Sequence, residues 1–257
     1  MKIATYNANS IRSRIETLTR WLAQHRPDIL AIQETKVQDS EFPIADLART
    51  GYKMVFRGQL KNNGVALLSR SAPEKVLLRL PGDTRDEARF MQASFGNITL
   101  INTYIPQGFE IGTDRFQYKL DWFRLLHEHL RQTLNPAEPI IWVGDLNAAL
   151  TDIDVHDPKR LWGTVCYCQP VKQALLDLMA WGFTDLLRHF HPDERIYTFW
   201  DYRIPNSLQR NRGWRLDYIL ATAPAAPACR ACCLEPRAWE KPSDHTFVVA
   251  DFDLQKL

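Results

Sequence analysis

Five short apolar runs, scattered from residue 3 to residue 250, each meet an amide, carboxylate or phenol at one end. That arrangement restricts the fold more than any other feature of the chain. Asn7 and Asn9 follow Ile3–Tyr6, Glu34 follows Ile29–Ile32, Tyr104 ends Ile98–Ile105, Asp145 and Asn147 follow Ile140–Val143, and Asp244-His245 precedes Phe247–Ala250. Runs this short and this apolar read as buried strands, because a strand with one wet face alternates. Burial alone would close such strands with turn residues. Strands whose ends converge on one rim would instead gather these polar groups into a single site, and Asp217, inside the run Trp214–Ala221, is placed to join them.

Helical spacing fills the gaps. Ile11, Ile15, Leu18 and Leu22 share one helical face, as do Phe116, Leu120, Phe123, Leu126 and Leu130, and a further helix is expected over Val171–Trp181. The remaining strands are expected at Lys2–Tyr6, Gly64–Ser69, Arg89–Phe95, Pro139–Gly144 and Phe247–Phe252, with Gly96-Asn97 folding Arg89–Phe95 back antiparallel onto Ile98–Ile105. Helix-flanked buried strands beside antiparallel pairs point to an α/β (α+β) chain, with sheets of mixed topology covered by helices. A purely parallel dinucleotide-binding sheet fits less well, since no Gly-x-Gly-x-x-Gly is present. No internal repeat or Gly/Ser-rich linker interrupts residues 1–257, so one domain is expected. With 45% hydrophobic and 24% charged residues, disorder and coiled coil are excluded.

Charge says little about partners: the net value is +2, although 22 arginines against 10 lysines lean toward bidentate phosphate contacts. The first ten residues hold no apolar signal core and no stretch is long enough to span a membrane, so a cytosolic protein is expected. An odd number of cysteines (Cys166, Cys168, Cys229, Cys232, Cys233) suits a reducing compartment, and they read as small buried hydrophobes rather than a zinc site.

Carboxylates and amides without clustered histidine or cysteine suit a hard cation, Mg²⁺ or Mn²⁺, which in turn favours a phosphate substrate. Asp217 and His245 add a pair in which the carboxylate orients the imidazole and favours its protonated form. Taken singly, each residue has an ordinary explanation: Asn7 and Asn9 as turn residues, Glu34 as a surface carboxylate, Asp145 to Asn147 as a turn, and His245 as a satisfied core histidine. Their joint occurrence at five strand ends is what these explanations do not cover.

The stretches TYNANSIRSR, ILAIQETKV, GVALLS, INTYIPQG, IIWVGDLNAALTDIDV, YTFWDYR, NRGWRLDYILA and EKPSDHTFVVADF resemble, in order and spacing, exonuclease III and the related AP endonucleases of the endonuclease/exonuclease/phosphatase superfamily. The resemblance runs from about residue 2 to residue 252, and the YTFWDYR, GWRLDY and KPSDH elements point to its DNA-repair branch. It implies a four-layered sandwich, two mixed sheets packed face to face with helices outside, and a Mg²⁺-dependent phosphodiesterase. The expected activity is incision 5′ to an abasic site in double-stranded DNA, together with trimming of blocked 3′ ends. It also implies roles. Glu34 is the principal metal ligand, with Asn7, Asp145, Asn147, Asp244 and His245 around the metal. Asp145 activates the attacking water, Asn147 holds it, and His245, oriented by Asp217, contacts the phosphate. Tyr104 contacts the phosphate or the leaving oxygen. Phe199, Trp214 and Leu216 line a pocket for a flipped-out abasic sugar, and Asn9, Arg89 and Gln107 complete the substrate contacts. The segment Arg203–Arg215, four arginines and no acid, is expected to meet phosphate.

Two departures stand out. Most relatives have Gly where this chain has Ser10, which predicts another turn geometry after Asn9. The segment His156–Gln169 differs most, and is expected to set the balance between incision and 3′-end processing. The chain starts at its first strand, which implies a prokaryotic source, with the protein reaching the nucleoid through its substrate, and a monomer is expected because no exposed apolar repeat or heptad suggests assembly. An RNA or phosphate-ester hydrolase is the competing enzyme reading, disfavoured by the aromatic pocket. A non-catalytic DNA-binding relative is disfavoured because Glu34, Asp145, Asn147, Asp217, Asp244 and His245 are all retained.

Overall fold

Strands that are apolar on both faces need cover on both sides, and the computed structural model supplies it with four layers. It describes residues 1–236, 242–253 and 255, so Glu240 and Lys241 of the last quoted motif lie outside the described residues. The first sheet contains β1 (Lys2–Asn7), β2 (Ile29–Gln33), β3 (Lys53–Arg57), β4 (Val65–Ser69), β11 (Cys229–Leu234) and β12 (Val248–Phe252), in the order β11-β12-β1-β2-β4-β3. The second contains β5 (Lys75–Leu77), β6 (Phe90–Phe95), β7 (Ile98–Tyr104), β8 (Ile140–Asp145), β9 (Phe183–Asp185) and β10 (Asp217–Thr222), in the order β5-β6-β7-β8-β10-β9. Each sheet has one parallel pair at its centre, β1–β2 and β7–β8, with antiparallel strands on either side.

The period of the strands assigns the layers. In β2, Ile29 and Ala31 enter the core between the sheets, while Leu30 and Ile32 pack beneath α1 (Ile15–His25). In β8, Ile141 and Val143 face the first sheet, while Ile140 and Trp142 meet α3 (Asp114–Thr133) and α5 (Gln169–Ala180). Short helices α2 (Ile44–Ala48), α4 (Pro158–Leu161) and α6 (Leu186–Phe190) complete the outside. Among the described residues no helix is long and apolar enough to cross a membrane.

Several boundaries differ from the sequence expectation for local reasons. Ile11 is buried but precedes a single 3-10 turn, and the α-helix starts only at Ile15. Regular β10 starts at Asp217 rather than Trp214, because the preceding residues leave the ladder: Trp214 pairs with Phe199 and Val155, and the Leu216 carbonyl accepts from Leu146 N at 2.8 Å. Gly144 has φ +140, and a Cβ there would lie 2.0 Å from the Thr103 carbonyl oxygen. Only glycine therefore lets β8 lie this close to β7 just before Asp145. Cys229 and Cys232 are buried on β11, Cys233 is exposed, and all five cysteines are free thiols.

Candidate active site

The two parallel pairs end at the same rim, which is what brings the polar residues together. Asn7 closes β1, Glu34 follows β2, Tyr104 closes β7 and Asp145 closes β8, while His245 arrives just before β12 and Asp217 opens β10. Beneath them the sheets are tied by a buried polar bridge: Gln33 donates to Asn102 Oδ1 (2.7 Å) and Thr5 Oγ1 (2.9 Å), and Asn102 donates to the carbonyls of Ile32 and Ala66. A buried amide pair with most of its capacity used fixes one sheet over the other.

Glu34, Asp145 and His245 each offer an atom within 4.8 Å of the others, the one such group of potential metal ligands among the described residues. Asn7 Nδ2 donates to Glu34 Oε1 (2.7 Å) and Asp145 Oδ2 (2.8 Å), so it bridges the two carboxylates; its Oδ1 accepts from Asn9 N (3.0 Å). Asp145 Oδ1 accepts from Asn147 N at 2.9 Å. His245 Nδ1 lies 2.8 Å from Asp217 Oδ2, and its Nε2 lies 3.8 Å from Asp145 Oδ2. Asp244 stands outside this triad, its Oδ1 taken by Asn9 Nδ2 (2.9 Å) and Ser243 Oγ (3.1 Å). Asn147 Nδ2 is committed to the Ile105 carbonyl at 2.9 Å.

Local backbone conformation serves this geometry. Glu34 (φ +51), Asn9 (φ +43) and Asn147 (φ +47) all occupy the left-handed region, an energetic cost that clusters at functional sites. Ser10 has φ +89, so the turn after Asn9 keeps a conformation that suits glycine, and the Asn9 side chain still reaches Asp244.

Electrostatics follow from burial. Loss of solvent pushes the Asp145 carboxyl above its ordinary range, with Asp217 and Glu34 adding to the shift and His245 opposing it. Burial works against a charged His245, yet Asp217 and then Asp145 carry its pKa up, so the ring stands as an imidazolium. Tyr104 is raised well above the usual phenol by burial and by Glu34, which keeps its hydroxyl a donor. Asp217 Oδ1 is buried without a partner, a mark of surplus negative charge. Among the described residues, Lys36 and His245 are the cations paired with the three carboxylates Glu34, Asp145 and Asp217. An oxygen-rich, anionic cluster of this kind fits a hard divalent cation.

The cluster forms part of the floor of a cleft of about 980 Å³, whose walls include Phe199, Trp214 and Leu216. The Phe199 and His245 ring centroids lie 4.8 Å apart, so the aromatic wall touches His245. Asn9, Gln107, Asn147 and Asp244 also line the cleft, as do His156, Arg160, Thr164 and Cys166 from the segment 156–169.

Arg89 does not line it. That side chain is 11% exposed, pairs with Glu87 and lies with its guanidinium 4.8 Å from the Tyr104 ring centroid, so it packs behind Tyr104. The arginine-rich segment divides: Arg203 and Arg212 line the cleft, Arg203 also pairing with Asp201 at 2.7 Å, whereas Arg215 is fully buried.

Three contributors escape the strand-end pattern. Lys36, two residues beyond Glu34, sits 2.7 Å from Glu34 Oε2 and also reaches Asn9 Oδ1; its signal was the lysine in QETK. Gln33 is the buried partner of the sheet bridge, signalled by an amide inside an apolar strand. Lys119 is fully buried under the cleft, donating to the carbonyls of Asn147 (2.6 Å), Val165 (2.7 Å) and Gln107 (3.2 Å), and burial lowers its pKa. A lysine between Phe116 and Phe123 on an apolar helical face was its signal.

Residues 4–245 match the model of the endonuclease/exonuclease/phosphatase family. An AP endonuclease from Archaeoglobus fulgidus is 46% identical, with a TM-score of 0.96 over 99% of this chain and 100% of that one. The 3′-5′ exonuclease NExo from Neisseria meningitidis is 36% identical, with a TM-score of 0.93 over 98% of this chain and all of its own. Exodeoxyribonuclease III of Haemophilus influenzae is 30% identical, matching 98% of this chain and 100% of its own length.

Proposed function

Because the chain belongs to the endonuclease/exonuclease/phosphatase family, as a metal-dependent DNA-repair nuclease, we propose that it hydrolyses the phosphodiester 5′ to abasic sites in duplex DNA and also clears blocked 3′ ends. The observation that carries this reading is the adjacency of the Asp217–His245–Asp145 chain to an aromatic cleft wall, phosphate chemistry beside a place for a sugar without its base. An abasic nucleotide has no base to unstack, so turning it out of the helix costs little.

Glu34 and Asp145 would hold the cation, with Asn7, Asn147, Asp244 and His245 around them; Mg²⁺, or Mn²⁺ in its place, supplies neutralisation of the charge that develops on phosphate oxygens. Asp145, its basicity raised by burial, accepts a proton from the attacking water. Asn147, fixed through Ile105, holds that water's place. The His245 imidazolium, its Nδ1–H held by Asp217, donates from Nε2 to a phosphate oxygen. Tyr104, kept protonated, donates toward the departing 3′ oxygen, which leaves as a hydroxyl and releases a 5′-deoxyribose phosphate end. Phe199, Trp214 and Leu216 receive the sugar, while Asn9 and Gln107 border it. The reading takes residues 1–257 as one monomeric domain working in a prokaryotic cytoplasm.

A second reading, 3′-end processing with little abasic incision, draws on the similarity to NExo and on the divergent residues His156 to Cys166 along the cleft. One experiment separates the two. A labelled duplex with a single tetrahydrofuran abasic analogue is compared with an undamaged duplex and a 3′-phosphate duplex, in Mg²⁺ and in EDTA. Metal-dependent cutting at the analogue, lost in Asp145→Ala, supports incision. Release of 3′-phosphate without that cut transfers the protein to end processing.

A further inference from the structure

Behind the aromatic wall lies a group of charges that the chemistry above does not use. Arg215, fully buried, places Nε 2.6 Å from Asp154 Oδ1 and Nη1 2.6 Å from Asp185 Oδ2. Arg188 joins from α6, with Nη2 2.6 Å from Asp154 Oδ1. None of the four side chains lines the cleft, and two positive charges balance two negative ones, so the group has no call for an ion or ligand. Replacing such a buried network with apolar side chains commonly costs a protein little stability, which leaves geometry as the property that charges provide here.

We propose that this network is a positioning element that sets the shape of the sugar pocket, and so the preference for an internal abasic site over a 3′ end. The proposal rests on the reading of Phe199, Trp214 and Leu216 as that pocket. Trp214 and Leu216 flank Arg215 in extended chain, so as they turn into the cleft Arg215 turns away from it. The carboxylate of Asp154 also organises the loop that follows Asn147, accepting from Leu150 N (3.1 Å), Thr151 N (2.8 Å) and Thr151 Oγ1 (2.9 Å). Loop and wall are stitched at three points: Leu146 N to Leu216 O (2.8 Å), Arg215 N to Asp154 O (2.8 Å) and His156 N to Gly213 O (3.1 Å). Trp214 in turn exchanges backbone hydrogen bonds with Phe199, 2.9 Å in each direction. One guanidinium fork therefore fixes the spacing of both aromatic rings.

Thr198 Oγ1 accepts from both Leu216 N (2.9 Å) and Asp217 N (3.1 Å), but Asp217 alone is also held by its ladder register opposite Asp145. Loosening the fork is thus felt at the pocket before it is felt at His245.

The test is Arg215→Lys, which keeps the charge and removes the fork, with Arg188→Met at the more accessible end of the network as a second, milder variant. Circular dichroism establishes that each is folded at the assay temperature. The ratio of kcat/KM on the tetrahydrofuran duplex to kcat/KM on the 3′-phosphate duplex should fall about tenfold or more for Arg215→Lys, chiefly through KM, and in the same direction for Arg188→Met. Removal of 3′-phosphate should stay within about twofold of wild type. If both activities fall in step in either folded variant, or neither changes, the network is merely structural and the proposal is overturned. If wild type itself leaves the analogue uncut, the abasic reading fails and takes this assignment with it.

Discussion

Two buried clusters of charge sit on opposite sides of the Trp214 to Asp217 segment, and they are built on opposite principles. Around Asp154 the acids are matched by arginines: burial alone would discourage ionisation, yet Arg215 and Arg188 overcome it and hold the Asp154 carboxyl well below its usual range. Around Asp145 the acids outnumber their partners, and the same kind of burial raises the carboxyl above its range. Both are aspartates at 1% exposure or less. Pairing, not burial, decides the sign. A balanced cluster holds the chain together, whereas an unbalanced one retains free energy for a cation and a phosphate to use.

The sharpest way to break this contrast is Asp145→Asn. Incision should fall by about 10³–10⁴-fold in single-turnover assays, as expected for loss of a proton acceptor. Its Tm in EDTA should be no lower than wild type, and a clear drop would mean that Asp145 is as well compensated as Asp154. Arg215→Met should do the reverse to stability, costing about 3–5 kcal/mol in urea unfolding by leaving buried carboxylates unpaired. Loss of under 1 kcal/mol would remove the distinction between the clusters.

Adding Mg²⁺ probes the unbalanced side directly. At one hundred times its Kd, a cation that binds only the folded chain stabilises it by about 2.7 kcal/mol. Thermal unfolding should show this gain in wild type and lose it in Glu34→Gln, while Asp154→Asn should retain the response. Acid probes the balanced side. Because the folded pKa of Asp154 is depressed, its contribution is complete above the unfolded value near 4 and is lost as pH falls through the folded one. The loss is on the order of 2–3 kcal/mol, and Asp154→Asn should flatten the stability profile below about pH 4. An unchanged acid slope would show that other carboxylates control it.

The same contrast explains what was legible in the sequence. Asn7, Glu34, Tyr104, Asp145 and His245 could be read because each stands at or just beyond the end of a largely buried strand, where a polar residue has few ordinary reasons to stand. Asp154 and Arg215 could not, since TDID resembles any acidic turn and Arg215 resembles any member of a basic run until its partner 61 positions away is known. The position of Arg89 was hidden for a related reason: the sequence placed it near a strand end of the rim, and only the fold shows its side chain behind Tyr104. The flanking strands β3, β5, β9 and β11 were missed because they are short or lie at sheet edges, where mixed exposure blurs the alternation. Glu34 and Asn147 were placed at strand ends, but their left-handed backbone was not read: glutamate carries no mark of it and asparagine, though enriched there, adopts it in a minority of positions.

The pairing of β12 with β1 carries a consequence for synthesis. Lys2 lies opposite Asp251 and Thr5 opposite Val248, so the strand that ends in Asn7 acquires this neighbour only once residues 248–252 exist, and His245 arrives with them. A ribosome emitting this polypeptide exposes nearly every carboxylate of the centre before it exposes the imidazole. A nascent chain that has not yet emitted residues 245–252 therefore lacks the complete constellation, which assembles as the sheet closes.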